Sequence, residues 1–223
     1  DLTVGFCLYL VDKGIAKSQV ANDIAELVTS YEMFNRGEFG GMPYGDFANH
    51  LMAIYETITA GMREQELDDL AERFVREGMD TRIRIHPYAR PVYNSENFGA
   101  DPVFLTSTPR PIAESLRALF RVRDVICSEH SVRDGVVEGM ALSLIVPGSK
   151  GNALKQFRAR TPQYDWEGNS RAFGDTLNDL SMRDYVSEFF FMNPDREARE
   201  HAEREEIPVW EETYGKSFSV FVE

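Results

Sequence analysis

Cysteine is scarce in this chain of 223 residues: it has two, Cys7 and Cys127, far apart and both in apolar surroundings. That argues against a disulfide-built protein and for a reduced, cytoplasmic one with neither thiol functional. Basic charge is short as well, with 24 Lys and Arg against 37 Asp and Glu, a formal net charge of −13. Such a field repels phosphate backbones and anionic lipid, so neither nucleic acid nor a membrane is expected as a partner. No apolar run reaches bilayer-spanning length, and no signal peptide is visible. Histidine is also rare. His50, His86, His130 and His201 have no spacing that suggests a metal site or a triad, and structural or surface roles are expected for them. Repeats and low-complexity linkers are lacking.

What is present is ordinary globular material. Hydrophobic residues make up 43% of the chain and aromatics 12%, enough for a sizeable core. Residues 16–79 have apolar positions at helical spacing in three stretches: ANDIAELVTSYEMF, DFANHLMAIYETITAGM and EQELDDLAERFVREGM. The Gly-rich GEFGGMPYG breaks the first from the second. The texture changes at His86-Pro87. From residue 100 strands alternate with helices: VFLTSTP, then RPIAESLRALF; DVICSE, then a hairpin around Asp134-Gly135; SKGNALKQFRAR; SRAFGD; LNDLSMRDY; EFFFMN; and DREAREHAEREE. That alternation predicts a parallel, helix-covered sheet, hence an α/β fold. The charged run REAREHAEREE reads most simply as a solvated helix face.

In α/β sheets, sites form at the carboxyl ends of strands. The polar groups expected there are Asp1 and Thr3 at the chain start, Thr106-Ser107-Thr108 after VFL, Lys150 at the opening of a helix, and Gly174-Asp175 followed by Asn178 and Asp179. Two carboxylates four residues apart, with an Asn between, suit a hard cation. A lysine and a hydroxyl suit phosphate oxygens. Taken one at a time each has a plainer reading: Asp175 and Asp179 as a helix cap and a first-turn acid, Thr106 as a strand-end cap, Lys150 as a surface lysine.

The order of these motifs resembles the haloacid dehalogenase superfamily. D-L-T at 1–3, TSTP at 106–109, K-G-N-A-L at 150–154 and G-D-T-L-N-D at 174–179 are most similar to its phosphoserine-phosphatase-like branch. VRDGVVEGM and NPDREAREHAEREEIPVWE resemble further segments of that branch. The resemblance implies a Rossmann-like parallel sheet core, residues 1–14 and 86–223, with helices on both faces, and an inserted all-helical cap at 15–85. Gly14 and His86-Pro87 are the candidate hinges. It implies an aspartyl-phosphate mechanism that needs Mg²⁺. By the family's D-x-D-x-T motif, Asp1 corresponds to the general acid/base, and the nucleophilic Asp is expected two residues before it, after a further apolar strand. Thr106, Ser107 and Lys150 would bind the phosphoryl group, Thr106 and Lys150 counting with Asp1 as catalytic. Asp1, Asp175 and Asp179 would hold the metal, supported by Thr3 and Asn178.

The implied substrate is a small phosphorylated metabolite. Phosphoserine is a minority expectation, because the cap stretch opening at Met42-Pro43-Tyr44 has no Arg before Arg63. A catalytically inactive, phosphatase-like binding protein and a phosphotransferase to an alcohol are the alternatives. The oligomeric state is left open.

Overall fold

The structure, a computed structural model, describes residues 2–79, 101–146, 148–213 and 216–217. Asp1 and the His86-Pro87 junction lie outside them. The chain is mixed α/β with parallel strand pairing, as the alternation from residue 100 predicts. Its residues group into two compact units, 1–29 with 47–144 and 30–46 with 145–223. These units do not coincide with a division at 15–85, because packing rather than chain order defines them.

In the first unit, α1 (Leu2–Asp12), the first part of α2 (Gln19–Asn35), most of α3 (Tyr44–Thr59) and α4 (Glu64–Met79) supply most of the core. Leu67, Leu70, Ala71, Phe74 and Val75 are all buried, a spacing of three and four that marks one helix face. Phe74 meets Phe6 and Tyr9 of α1 with ring centroids 5.4 and 5.6 Å apart. Strand β1 (Val103–Pro109) leads through α5 (Arg110–Phe120), which has Pro111 in its first turn, to the parallel strand β2 (Asp124–Arg133). β3 (Val136–Leu142) returns antiparallel. Asp134 and Gly135 turn this hairpin with φ of 52° and 74°. Both values are positive, so the Asp-Gly pair makes the kind of turn that matches strand twist. The α3–α4 connection docks on the hairpin: Gly61 N–H donates to the Val137 carbonyl at 2.8 Å, and Val137 N–H to that of Met62 at 2.9 Å.

The second unit holds α6 (Ser149–Arg160), β4 (Arg171–Gly174), a 3₁₀ helix (Leu177–Tyr185), β5 (Glu188–Met192), α7 (Arg196–Arg204) and β6 (Val209–Trp210). The sheet runs β4-β5-β6, all parallel. Phe189 and Phe191 are buried on one face, and Phe190 stacks with Phe173 on the other at 5.6 Å. Between β5 and β6, α7 buries Ala198 and Ala202. A short antiparallel pair, β7 (Glu212–Thr213) and β8 (Lys216–Ser217), follows. Among the described residues, β1 pairs only with β2 and β4 only with β5. No helix among the described residues is long and apolar enough to cross a membrane.

Candidate active site

The end of β4 shows why its sequence reads F-G-D-T-L-N-D. A side chain at Gly174 would bring a Cβ within 2.2 Å of the Asp179 Cβ, so only glycine lets the 3₁₀ helix fold back onto the strand end. Thr176 caps that helix, and Asp179, three residues on, closes a capping box. One Asp179 oxygen, Oδ2, accepts from the N–H of Asp175 at 3.0 Å and from the N–H and hydroxyl of Thr176, each at 3.1 Å. The other, Oδ1, takes the ammonium of Lys150. Of the plainer readings only the first-turn acid holds, at Asp179: the cap is Thr176 rather than Asp175, and Lys150 is a buried partner of Asp179 rather than a surface lysine.

The K-G-N motif has a matching cause. A Cβ on Gly151 would lie 2.3 Å from the Ser181 carbonyl oxygen, and Gly151 N–H donates to Ser181 Oγ at 3.0 Å. The glycine of each motif is thus the place where the 3₁₀ helix makes its closest approach. The result is an ion pair inside the protein, with side-chain exposures of 8% for Lys150 and 4% for Asp179. Burial alone would raise Asp179. Lys150 and the two amide N–H donors outweigh it and hold the carboxyl below the usual range. The Lys150 ammonium has three N–H donors, and Asp179 is its only acceptor among the described residues.

Asp175 is different. Its carbonyl accepts from Asp195 N–H at 2.9 Å, tying the end of β4 to the segment after β5. Its carboxylate opens onto solvent, yet protein surrounds it. That burial and then the charge of Asp179 push it up to about 7, with Lys150 pulling it back. Asn178 sits in the same 3₁₀ helix, where its carbonyl accepts from the Ser181 hydroxyl at 3.2 Å.

Lys150, Asp175, Asn178 and Asp179 thus come together within the second unit. Thr106, Ser107 and Thr3 belong to the first. There Thr106 Oγ1 donates to Thr108 Oγ1 at 2.9 Å and accepts the Thr108 N–H at 3.1 Å, a hydroxyl turn at the end of β1. The Ser107 carbonyl accepts from the Ser128 hydroxyl at 2.8 Å, and Thr3 is buried in α1. Asp1 is not among the described residues.

The second unit also contains a cavity of about 450 Å³ beside Asp175, lined by Tyr31, Asn35, Asn193, Arg196 and Arg199 as well. Sequence reasoning missed these residues. The expectation that REAREHAEREE is simply a solvated face needs correction, since its first turn faces the cavity. The signal that could have found it is Asn-Pro-Asp directly after the apolar EFFFM, which starts a helix at the carboxyl end of a strand. Burial first, then the charges of Asp195 and Asp175, push the Tyr31 hydroxyl up to about 12, so it stays a proton donor. Elsewhere, burial pushes Cys7 and Cys127 each to about 12, which makes both thiols inert.

A carboxylate pair with a buried lysine thus lies at the end of a parallel strand in an α/β protein. The chain belongs to the haloacid dehalogenase-like hydrolase family, whose model matches residues 18–183. No curated protein matches the chain. Among solved structures it is similar to a protein of unknown function from Bordetella pertussis Tohama I, with 19% identity, TM-score 0.69, and coverage of 94% of this chain and 91% of that one. A phosphoserine phosphatase solved as a phospho-aspartyl intermediate analogue has 13% identity and TM-score 0.55, covering 93% and 84%. A HAD family hydrolase from Salmonella enterica serovar Typhi has 14% identity and TM-score 0.55, covering 91% of this chain and 60% of that one. At these identities the likeness is one of fold.

Proposed function

We propose that this chain carries the catalytic site of a Mg²⁺-dependent phosphomonoester hydrolase acting on a small phosphorylated metabolite through an aspartyl-phosphate. The observation that carries the reading is the buried Lys150–Asp179 pair beside Asp175, a carboxyl raised to about 7. A buried cation with spare donors next to an under-compensated carboxylate is costly to fold around. It makes chemical sense where a phosphoryl group and a metal complete the charge balance.

The donor set fits Mg²⁺. Asp175 offers oxygen ligands, faces solvent and, among the described residues, forms no ion pair. Among the described residues, no group of three or more His, Cys, Asp or Glu side chains could hold an ion by itself. Mg²⁺ needs no such cage, since it keeps waters and takes one or two carboxylates plus substrate oxygens. Asp175 and Asp1 would hold it, with Asp179 orienting Lys150 alongside. When bound, the ion would neutralise charge between the attacking carboxylate and the phosphate.

The chain's own residues then divide the work. Lys150 and the Thr106 and Ser107 hydroxyls bind phosphoryl oxygens. Asp179 fixes the Lys150 ammonium in place. Asp1 gives a proton to the leaving oxygen and later takes one from water. Thr3 and Asn178 support these groups, and the helical 15–85 segment acts as the cap. Phosphate release by the full-length protein from a panel of phosphomonoesters tests this. Activity should require Mg²⁺, vanish with chelator, and fall about a hundredfold or more in Asp175→Asn. Metal-independent activity, or an Asp175→Asn variant with normal turnover, would overturn it.

A further inference from the structure

The cavity beside Asp175 is large enough for a small metabolite and carries a charge without a partner. Of its two arginines, Arg199 is paired with Glu211. Arg196 is not: no carboxylate of the described residues pairs with it, and its Nε is buried without a hydrogen-bond partner. Its guanidinium lies over the Phe34 ring, 4.4 Å from the centroid, and its backbone N–H donates to Asn35 Oδ1 at 3.3 Å. The fork is therefore held in place, always charged, and partly withdrawn from water. Nor does the adjacent acid quench it. Asp195 caps α7, accepting Ala198 N–H at 2.8 Å, and hydrogen-bonds Tyr31.

A guanidinium in the cavity wall that pairs with no carboxylate of the described residues has donors to spare, and a ligand oxygen would take them. A planar fork suits a carboxylate or phosphate bound through two parallel hydrogen bonds. We propose that this cavity selects phosphomonoesters whose leaving group carries a second anionic group, a carboxylate or a second phosphate, gripped by Arg196. The proposal rests on the phosphatase reading above and makes Arg196 the residue that determines specificity.

The test uses the full-length protein and two readouts. First, kcat/KM is compared for phosphoglycolate, ethylene glycol bisphosphate and ethyl phosphate. The wild type should favour the two anion-bearing esters, and Arg196→Gln should shrink that ratio by about 10- to 100-fold. Arg196→Lys, which keeps the charge but not the fork, should restore part of it. Second, calorimetry with Mg²⁺ compares phosphonoacetate and methylenebisphosphonate with ethylphosphonate, none of which needs to turn over. The same discrimination should be seen and should depend on Arg196. Whichever anion binds tighter identifies the group. A wild type indifferent to the second anion in both readouts overturns the proposal even if Arg196→Gln does not fold. So does a ratio unchanged in a folded Arg196→Gln. Hydrolysis without discrimination sinks the subsite and leaves the phosphatase reading standing. Discrimination by calorimetry without hydrolysis of any ester keeps the subsite and sinks the phosphatase reading.

Discussion

Lys150 sits inside the protein with its charge, and its worth depends on Asp179. Removing one partner of a buried pair strands the other, typically at a cost of about 3–5 kcal/mol. Lys150→Met should destabilise the protein by that order in chemical denaturation. Adding Asp179→Asn should return part of the loss, since the Asn oxygen can still accept from the Asp175 and Thr176 N–H groups. An additive double variant would mean the two groups are not coupled. His130 gives a second test. It is buried, with Nε2 3.0 Å from the Tyr55 hydroxyl, and burial, then Arg110, lower it from 6.5 to about 4. The folded state favours the neutral ring. His130 therefore contributes stability above pH 6.5 that is lost as pH falls toward 4. The melting temperature of His130→Gln should fall less steeply than that of the wild type across this window, and parallel curves would contradict the assignment. Among single residues, motif order in the sequence pointed to Lys150, Asp175 and Asp179, and the structure brings the three together. Motif order did not reveal that both Asp179 oxygens are committed, because partner choice across 29 positions is a matter of packing. Arg196 was missed for a related reason: a charged helix looks solvated until its neighbours are known.

Elements were easier to read, since periodicity and turn chemistry are local. α3, α4, the β2–β3 hairpin and α6 all lie where their patterns predict. LNDLSMRDY was legible as a short helix but not as 3₁₀. The glycines of GEFGGMPYG signalled only a break. In the structure one of them, Gly41, packs so closely that a Cβ would lie 2.2 Å from the Phe34 backbone nitrogen. Gly41→Ala should therefore displace the loop next to the ring that carries Arg196. Proteolysis of the loop at residues 36–43 should speed up, and an unchanged cleavage rate would contradict the packing. At α7, Asp195→Ala removes the cap and should cost about 1 kcal/mol by thermal denaturation.

For the molecule as a whole, the parallel α/β plan followed from alternation after residue 100, whereas the two units did not, because they join segments distant in the chain. The net charge of −13 bears on function at this scale. An anionic substrate approaches against the field and needs local positive charge, which the metal, Lys150 and Arg196 would supply. Bound at Asp175 as proposed, Mg²⁺ would displace a proton from a carboxyl raised to about 7, so its affinity should rise from roughly pH 6 to pH 8, as calorimetry with the full-length protein can show. The proposed mechanism turns on transfer of a phosphoryl group to a protein carboxylate. The most direct measurement is rapid acid quenching of the full-length protein with p-nitrophenyl phosphate and Mg²⁺, followed by intact mass. The account expects one phosphoryl adduct, formed only with metal and removed by hydroxylamine. Phosphate release at every quench time without any adduct would contradict it.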